Sequence, residues 1–398
     1  MSALTDLWAH QTKIGANNSP HPRQCLKDLI DVVEKEENER ARDNFDDRGE
    51  NTLADGYTSD AQIAAVVNYF WTRNAYHGLQ FRGALAFLLS HYFLLRSESI
   101  RSMELTDLYT VNLDNEAFSA EMDCPALVMI MTQGKTNTKN RKDLVGCMRN
   151  KRVDICAFAA LGAHFFWRFH VENEPFPNLV RSREWYPIKV CSSSSDKTKK
   201  WGARSHYDQM LAALRTCHIP TSKITHINRG SGARMADLRG VAESQIRRQG
   251  GWNSDAMNRY YMTGLPLEMM RAMAGFTRDS NSFYLSRAVV APSDELCRLM
   301  FPEANAWRDR LSAREADPNN GDDMVVTLAA GAFLKMIFSL RKSFIQDSVP
   351  LSQIFPNHPI WQHSFWQSEL YKDFKRCNSS KMHLFVSFSF FFCHFPIF

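Results

Sequence analysis

From Phe81 to Leu95 the chain reads FRGALAFLLSHYFLL, apolar at nearly every position and ending in the polar Arg96, Ser97 and Glu98. An amphipathic helix can rest on one surface, but a helix of this composition must be surrounded on most sides. Val153–Val171 is a second segment of the same kind, so the fold expected is a mainly helical body wrapped around these two. With 398 residues, 44% of them hydrophobic, the chain has the material for at least one substantial core and the length for two or three domains.

Other elements follow from local patterns. Ser59 and Gln62 have capping-box spacing, and Ile63, Val66, Val67 and Phe70 repeat at i, i+3, i+4 and i+7, which predicts a core-facing helix. Leu127–Met131 is a short apolar run of strand formers followed by Gln133, Gly134 and a polar stretch to Asn140, the pattern of a β-hairpin. Cys191–Lys200, with four consecutive serines and then Lys197, Thr198, Lys199 and Lys200, reads as a flexible basic loop. Three short helices are expected over Tyr207–Cys217, Gly232–Leu238 and Ala242–Gln249; Gly250 and Gly251 end the last, and Asp255–Tyr261 starts another. The fold class expected is therefore mainly α with a small β-hairpin or sheet.

Residues 1–57 carry a charge-dense run that could form a solvated helix but offers little apolar surface, and they read as a charged linker. Residues 58–300 form the expected main domain, 301–381 a C-terminal helical extension, and 382–398 a low-complexity aromatic tail. Mistranslated or wrongly assigned sequence accounts for that tail more simply than a membrane anchor does, because it is short and holds His383, His394 and Pro396.

The formal net charge of +5 says little by itself, but its distribution is uneven. Gln133–Arg152 holds seven Lys or Arg against one acid and Lys223–Arg248 six against two, while Asp31–Glu50 holds nine acids against four bases. Two concentrated basic segments suit a polyanionic partner. The nine cysteines show no CxxC and no His/Cys pair at zinc-finger spacing, so neither a structural metal nor a disulfide framework is indicated. The first residues lack the apolar run of a signal peptide, which leaves the cytosol or nucleus as the expected compartment.

The segment most informative about chemistry is His226-Ile-Asn-Arg229, followed by Trp252 and, nine residues later, Tyr261. His226 and Arg229, three apart on a helical turn, can project from one face and hold one phosphate between them. HxxR alone is a weak pattern; the ordered series around it is stronger. Leu95-Arg96-Ser97-Glu98-Ser99-Ile100, Lys135 in QGKTNT, HxxR, Trp252 and Tyr261 together resemble the tyrosine recombinase family: an arginine box at a helix end, a hairpin lysine, HxxR, a His or Trp, then a tyrosine. The wording GARMA, IRRQGGWN, DAMNRYY and LPLEMMRAMAGF is similar to the second domain of the large DNA-binding subunit of the fungal centromere-binding complex, and to the recombinases of fungal Crypton transposons.

This resemblance implies a tyrosine recombinase (DNA breaking–rejoining) catalytic-domain-like fold, a nuclear location, double-stranded DNA as partner, no cofactor and no small-molecule substrate. A homodimer or higher oligomer on DNA is left open, and no membrane is expected unless the tail is a genuine anchor. It further implies that Arg96 and Arg229 bind the non-bridging oxygens of a phosphodiester, with His226 and Trp252 completing the pocket. Lys135 would protonate the leaving 5′ oxygen, and Tyr261 would attack to give a 3′-phosphotyrosyl bond. Lys139, Lys199, Lys200, Arg234, Arg247 and Arg248 are expected DNA-backbone contacts.

Two departures from the family stand out. Residues 1–57 are too short for its core-binding domain, and Gly232, Gly250 and Gly251 replace bulkier residues, which questions the rigidity of the site. Each residue also has a plainer reading. Arg96 and Glu98 form a helix-end charge cluster; Lys135 lies among Lys139, Arg141 and Lys142; His226 starts a helix; Trp252 packs in any case; Tyr260 competes with Tyr261; Lys199 and Lys200 serve solubility. A DNA-binding protein is the first functional expectation, an active Crypton-type recombinase the alternative, and a helical protein-interaction scaffold the third.

Overall fold

The computed structural model describes residues 2–43, 55–119, 122–131, 143–252, 264–319 and 321–392. The chain divides into two compact units, Met1–Asp55 and Gly56–Phe398. The first holds two helices, α1 (Ser2–Lys13) and α2 (Pro22–Asp43), so the charge-dense run is helical.

The second unit begins with α3 (Asp60–Thr72) and α4 (His77–Tyr92). The capping box is present in both halves: Ser59 caps the Gln62 N–H and the Gln62 side chain returns to the cap backbone. Ile63, Val66, Val67 and Phe70 are all buried. As its composition requires, α4 is buried from Gln80 to Tyr92 without a break. The short α5 (Ser97–Ser102) follows, with Arg96 at its N-cap.

Strands β1 (Leu108–Asn112), β2 (Pro125–Met131) and β3 (Asp143–Met148) make an antiparallel sheet in that order. Side chains on β2 alternate between two apolar layers: Leu127 and Met129 join the main core, whereas Ala126 and Val128 pack with Met270, Phe276 and Phe283. Met131 pairs with Asp143, so β2 and β3 form the expected hairpin, with its connection, residues 132–142, outside the described residues.

The second apolar segment forms α6 (Ala157–Phe166), continued by a π turn at Trp167–Val171. Its helix starts four residues later than the apolar pattern suggests, because Arg152–Cys156 is held in a turn by Asp154 pairing with Arg152 and by the Cys156 N–H donating to Val153. There follow α7 (Ala203–Thr216), α8 (Ile227–Leu238), α9 (Glu243–Gln249), α10 (Leu267–Met273), α11 (Asp294–Leu299), α12 (Glu303–Ala316), α13 (Leu328–Ile354) and α14 (Glu369–Phe392). Helix α13 belongs to the same core as α4 and α6: Phe333, Ile337, Leu340, Phe344 and Val349 are fully buried. Gly162 on α6 lets Phe344 approach, since a Cβ there would lie 2.7 Å from that ring. Among the described residues no helix is long and apolar enough to cross a membrane.

The serine-rich segment differs from its expected flexibility. Lys189 N–H donates to Lys197, Ser193 N–H to Lys199 and Trp201 N–H to Cys191, closing it into a laddered loop. The Ser193 hydroxyl both donates to the Asp196 carbonyl and accepts from the Asp196 N–H. Its root is fixed by Trp201, whose ring packs at a tilt against His206 at 4.6 Å and lies under the Arg82 guanidinium at 4.7 Å. Serine content suggested mobility; the Ser193 hydroxyl instead satisfies the turn's own backbone.

Candidate phosphate-binding site

Helix α8 carries the HxxR segment and is anchored by the residues between its two named ones. His226 is the N-cap residue and is exposed. Asn228 is buried; its amide donates to the Phe87 carbonyl on α4 and its oxygen accepts from the Tyr57 hydroxyl. The same hydroxyl lies 2.9 Å from His91 Nδ1, and the Ser231 hydroxyl accepts the Tyr57 N–H at 3.1 Å. Gly232 is required by the close crossing of α8 over the end of α4, because a Cβ would lie 2.7 Å from the His91 carbonyl and 2.6 Å from Leu94. That glycine tightens the site and does not loosen it, contrary to the sequence expectation.

Arg229 is the centre of the arrangement. Its guanidinium donates from Nη1 to the Leu94 carbonyl and from Nη2 to the Gly250 carbonyl, both at 2.5 Å. Leu94 stands in the left-handed region, φ 52°, where the chain turns out of α4 toward Arg96. The Trp252 indole covers the cation at 4.4 Å, with Trp252 itself 37% exposed. Gly250 is needed because a Cβ there would lie 2.5 Å from that indole, and Gly251 adopts φ +64°. Two glycines thus let the chain fold Trp252 back over Arg229.

Burial first, and then the positive charge of Arg96, push Arg229 down to about 10, still protonated at neutral pH. The two arginines that the sequence places 133 positions apart are therefore electrostatic neighbours. Arg96 is half-buried, and its side chain makes no hydrogen bond or ion pair among the described residues. His226 contributes to depressing His206, after burial, Arg101 and Arg82, so it also borders this basic patch. The bidentate role expected of Arg229 is narrowed by the structure: two of its N–H groups are already used by main-chain carbonyls and one face lies under the indole.

An acid follows Arg96 two residues later. Glu98 on α5 accepts from Arg101 of the same helix and, at 2.5 Å, from Lys200 of the laddered loop. Hydrogen bonding to Lys200 is the leading cause that holds its carboxyl below the usual range; burial opposes this and Arg101 adds to it. Lys199 lies 3.5 Å from Asp196 and Arg247 3.2 Å from Glu243, so both expected backbone contacts already have an acid beside them. Arg234 and Arg248 are half-buried and engaged within the protein. Lys135, Lys139, Tyr260 and Tyr261 lie outside the described residues.

Sequence reading missed three supports of the site: Asn228, Gln249 and Lys200's partner Glu98. Gln249 is fully buried, its amide donating to the carbonyls of Tyr92 and Gly146 and so tying α9 to α4 and β3. A glutamine preceding two glycines at the end of a short helix is the local signal that such a tie was required.

Comparison with known proteins adds the following. No curated protein matches the chain. Among solved structures it is similar to Ndc10, described as a platform for inner kinetochore assembly in budding yeast, at 12% identity and a TM-score of 0.47 over 80% of this chain and 68% of that one. It is also similar to an FLP recombinase–Holliday junction complex, at 12% identity and 0.42 over 85% and 80% of the two chains. A further Flpe–Holliday junction complex matches at 13% identity and 0.43, over 88% and 79%. The model of the family described as centromere DNA-binding protein complex CBF3 subunit, domain 2, matches residues 11–372. With that match spanning most of its length, the chain belongs to the family of domain 2 of the CBF3 subunit of the centromere DNA-binding protein complex.

Proposed function

We propose that this protein binds double-stranded DNA in the nucleus through its phosphate backbone, using the patch built on Arg96, Arg229, His226 and Trp252. The observation that carries this reading is the Arg229 guanidinium bonded to the Leu94 carbonyl, two residues before Arg96, with no carboxylate bonded to it among the described residues. Two adjacent guanidinium groups without an acid paired to either repel each other, and a phosphodiester relieves that repulsion while taking the planar fork of Arg96. Family membership supports centromeric DNA as the target. Arg229's occupied fork favours holding a phosphate over driving transfer at it, so binding is preferred to strand cleavage by Tyr261.

The test is a fluorescence-anisotropy titration of the full chain with labelled duplexes of unrelated sequence between about 50 and 200 mM salt. Affinity is expected to fall steeply with salt, and Arg96→Ala to weaken all duplexes alike and lower the log–log slope by about 0.9, the value for one neutralised phosphate. Binding that is absent, or indifferent to salt, contradicts the proposal. A nicked suicide duplex separates binding from cleavage: a covalent adduct that disappears in Tyr261→Phe and persists in Tyr260→Phe would establish the recombinase alternative instead.

A further inference from the structure

Glu98 has no part in the phosphate-holding role just assigned, yet it follows closely on Arg96 in the chain. It is two residues from Arg96, on a helix whose start Arg229 fixes through Leu94. Its carboxylate is shared between Arg101, a buried side chain that also donates to the Trp201 carbonyl, and Lys200, whose ammonium is half exposed. Arg101 cannot leave, because it is walled in by the root of the laddered loop. Lys200 can, since its Cα is held by the Ser192–Lys200 bridge while its four-carbon stem reaches into solvent.

We infer that Glu98 is an internal counter-anion that occupies, in the free protein, the place a DNA phosphate takes beside Lys200. On docking, Lys200 exchanges the carboxylate for a phosphodiester, and Arg101 alone retains Glu98. The pair thus sets how much affinity the patch yields: without DNA it relieves repulsion between Arg101 and Lys200, and with DNA it must be broken. The chemistry recognised is that of a backbone phosphate, with no base contact, so the effect is independent of sequence. This inference rests on the DNA-binding reading above.

A double-mutant cycle on the full chain tests it, with a labelled duplex of arbitrary sequence at about 100 mM salt. Both positions are exposed at the surface, and matched thermal unfolding curves will verify that the variants fold alike. Glu98→Gln is expected to tighten binding about two- to fivefold, the range that an exposed ion pair can withhold. Lys200→Met should weaken binding and lower the salt slope by about 0.9, as one fewer phosphate is neutralised. In the Lys200→Met background, Glu98→Gln should then have no effect.

A Glu98→Gln variant that binds as the wild type does overturns the exchange. So does a tightening that survives in full in the Lys200→Met background, because the carboxylate then acts only through its long-range field. So too does a Lys200→Met variant with an unchanged slope. If the wild type binds no duplex, it is the DNA-binding reading itself that fails, a result distinguishable from these because the Glu98 and Lys200 variants are then silent as well.

Discussion

Two regions of the molecule that hold guanidinium groups treat their charge in opposite ways. In the interior, Arg149 and Arg287 converge on one fully buried carboxylate, Asp347, each at 2.6 Å from its Oδ1. Arg149 also donates to Gln346, and Arg287 to the carbonyls of Asn150 and Lys151. This knot joins the end of β3, the turn at Ser286–Ala288 and α13. Burial raises the Asp347 carboxyl, but Arg149 and Arg287 together more than offset it and hold it below its ordinary range. At the candidate site, by contrast, Arg229 is held by neutral carbonyls and an indole, and Arg96 makes no ion pair among the described residues. The two places differ in what holds the cation: a carboxylate cancels its charge in the interior, whereas neutral groups at the candidate site fix its place without cancelling it.

The strongest way to break this contrast is pH, because the interior also holds neutral histidines. Burial depresses His91 and His358 to about 3 and His206 to about 4, assisted by Arg239, His77 and Arg101 respectively. The unfolded chain then binds more protons than the folded one between roughly pH 6.5 and pH 4, so stability is complete above that window and declines through it. Each histidine contributes on the order of 1.4 kcal/mol per pH unit there. Chemical denaturation at about pH 7, 6 and 5 measures this, and a flat profile would refute the neutral-interior account. The guanidinium groups of the site stay charged throughout that range, so the decline belongs to the interior.

Next in size is Asp347→Ala, which leaves two buried guanidinium groups without their anion. A destabilisation of about 3–5 kcal/mol is expected, the cost of unpairing a buried charge. Differential scanning calorimetry reads this, and a change under about 1 kcal/mol would mean that the two arginines find other partners. The smallest effect sharpens the other half of the comparison. Trp252→Ala removes a cation–π interaction at a 37% exposed residue and should lower stability by no more than about 1 kcal/mol. A fall as large as that for Asp347→Ala would make Trp252 a core residue and Arg229 a structural one.

Much of this was legible in the sequence where the signal is local. The Ser59 and Gln62 spacing gave a true capping box, the apolar run gave a helix buried on all sides, and the strand formers of Leu127–Met131 gave a hairpin strand. The gathering of Arg96 with Arg229 was expected from their place in an ordered series, not from either residue's surroundings. Partnerships across long chain separations were not legible. Lys200 and Glu98 are 102 residues apart, and nothing near Lys200 distinguishes a paired cation from a free one. Asp347 inside α13 looks like an interruption of a buried helix face; it is tolerated because Arg149 and Arg287 reach that position from elsewhere. The glycines at 232 and 250 were misread for a related reason: a missing side chain implies slack in a sequence, and only the packed neighbour reveals a tight fit.

The acceptors that hold Arg229 are main-chain oxygens, which no substitution at position 94 can delete and which at position 250 persist while glycine keeps the indole in place. The cation's address is therefore inherited with the path of the backbone and not with the chemistry around it. A lineage can exchange its nucleophile or its proton donor and keep its hold on a polyanion, so grip and reactivity are free to drift apart.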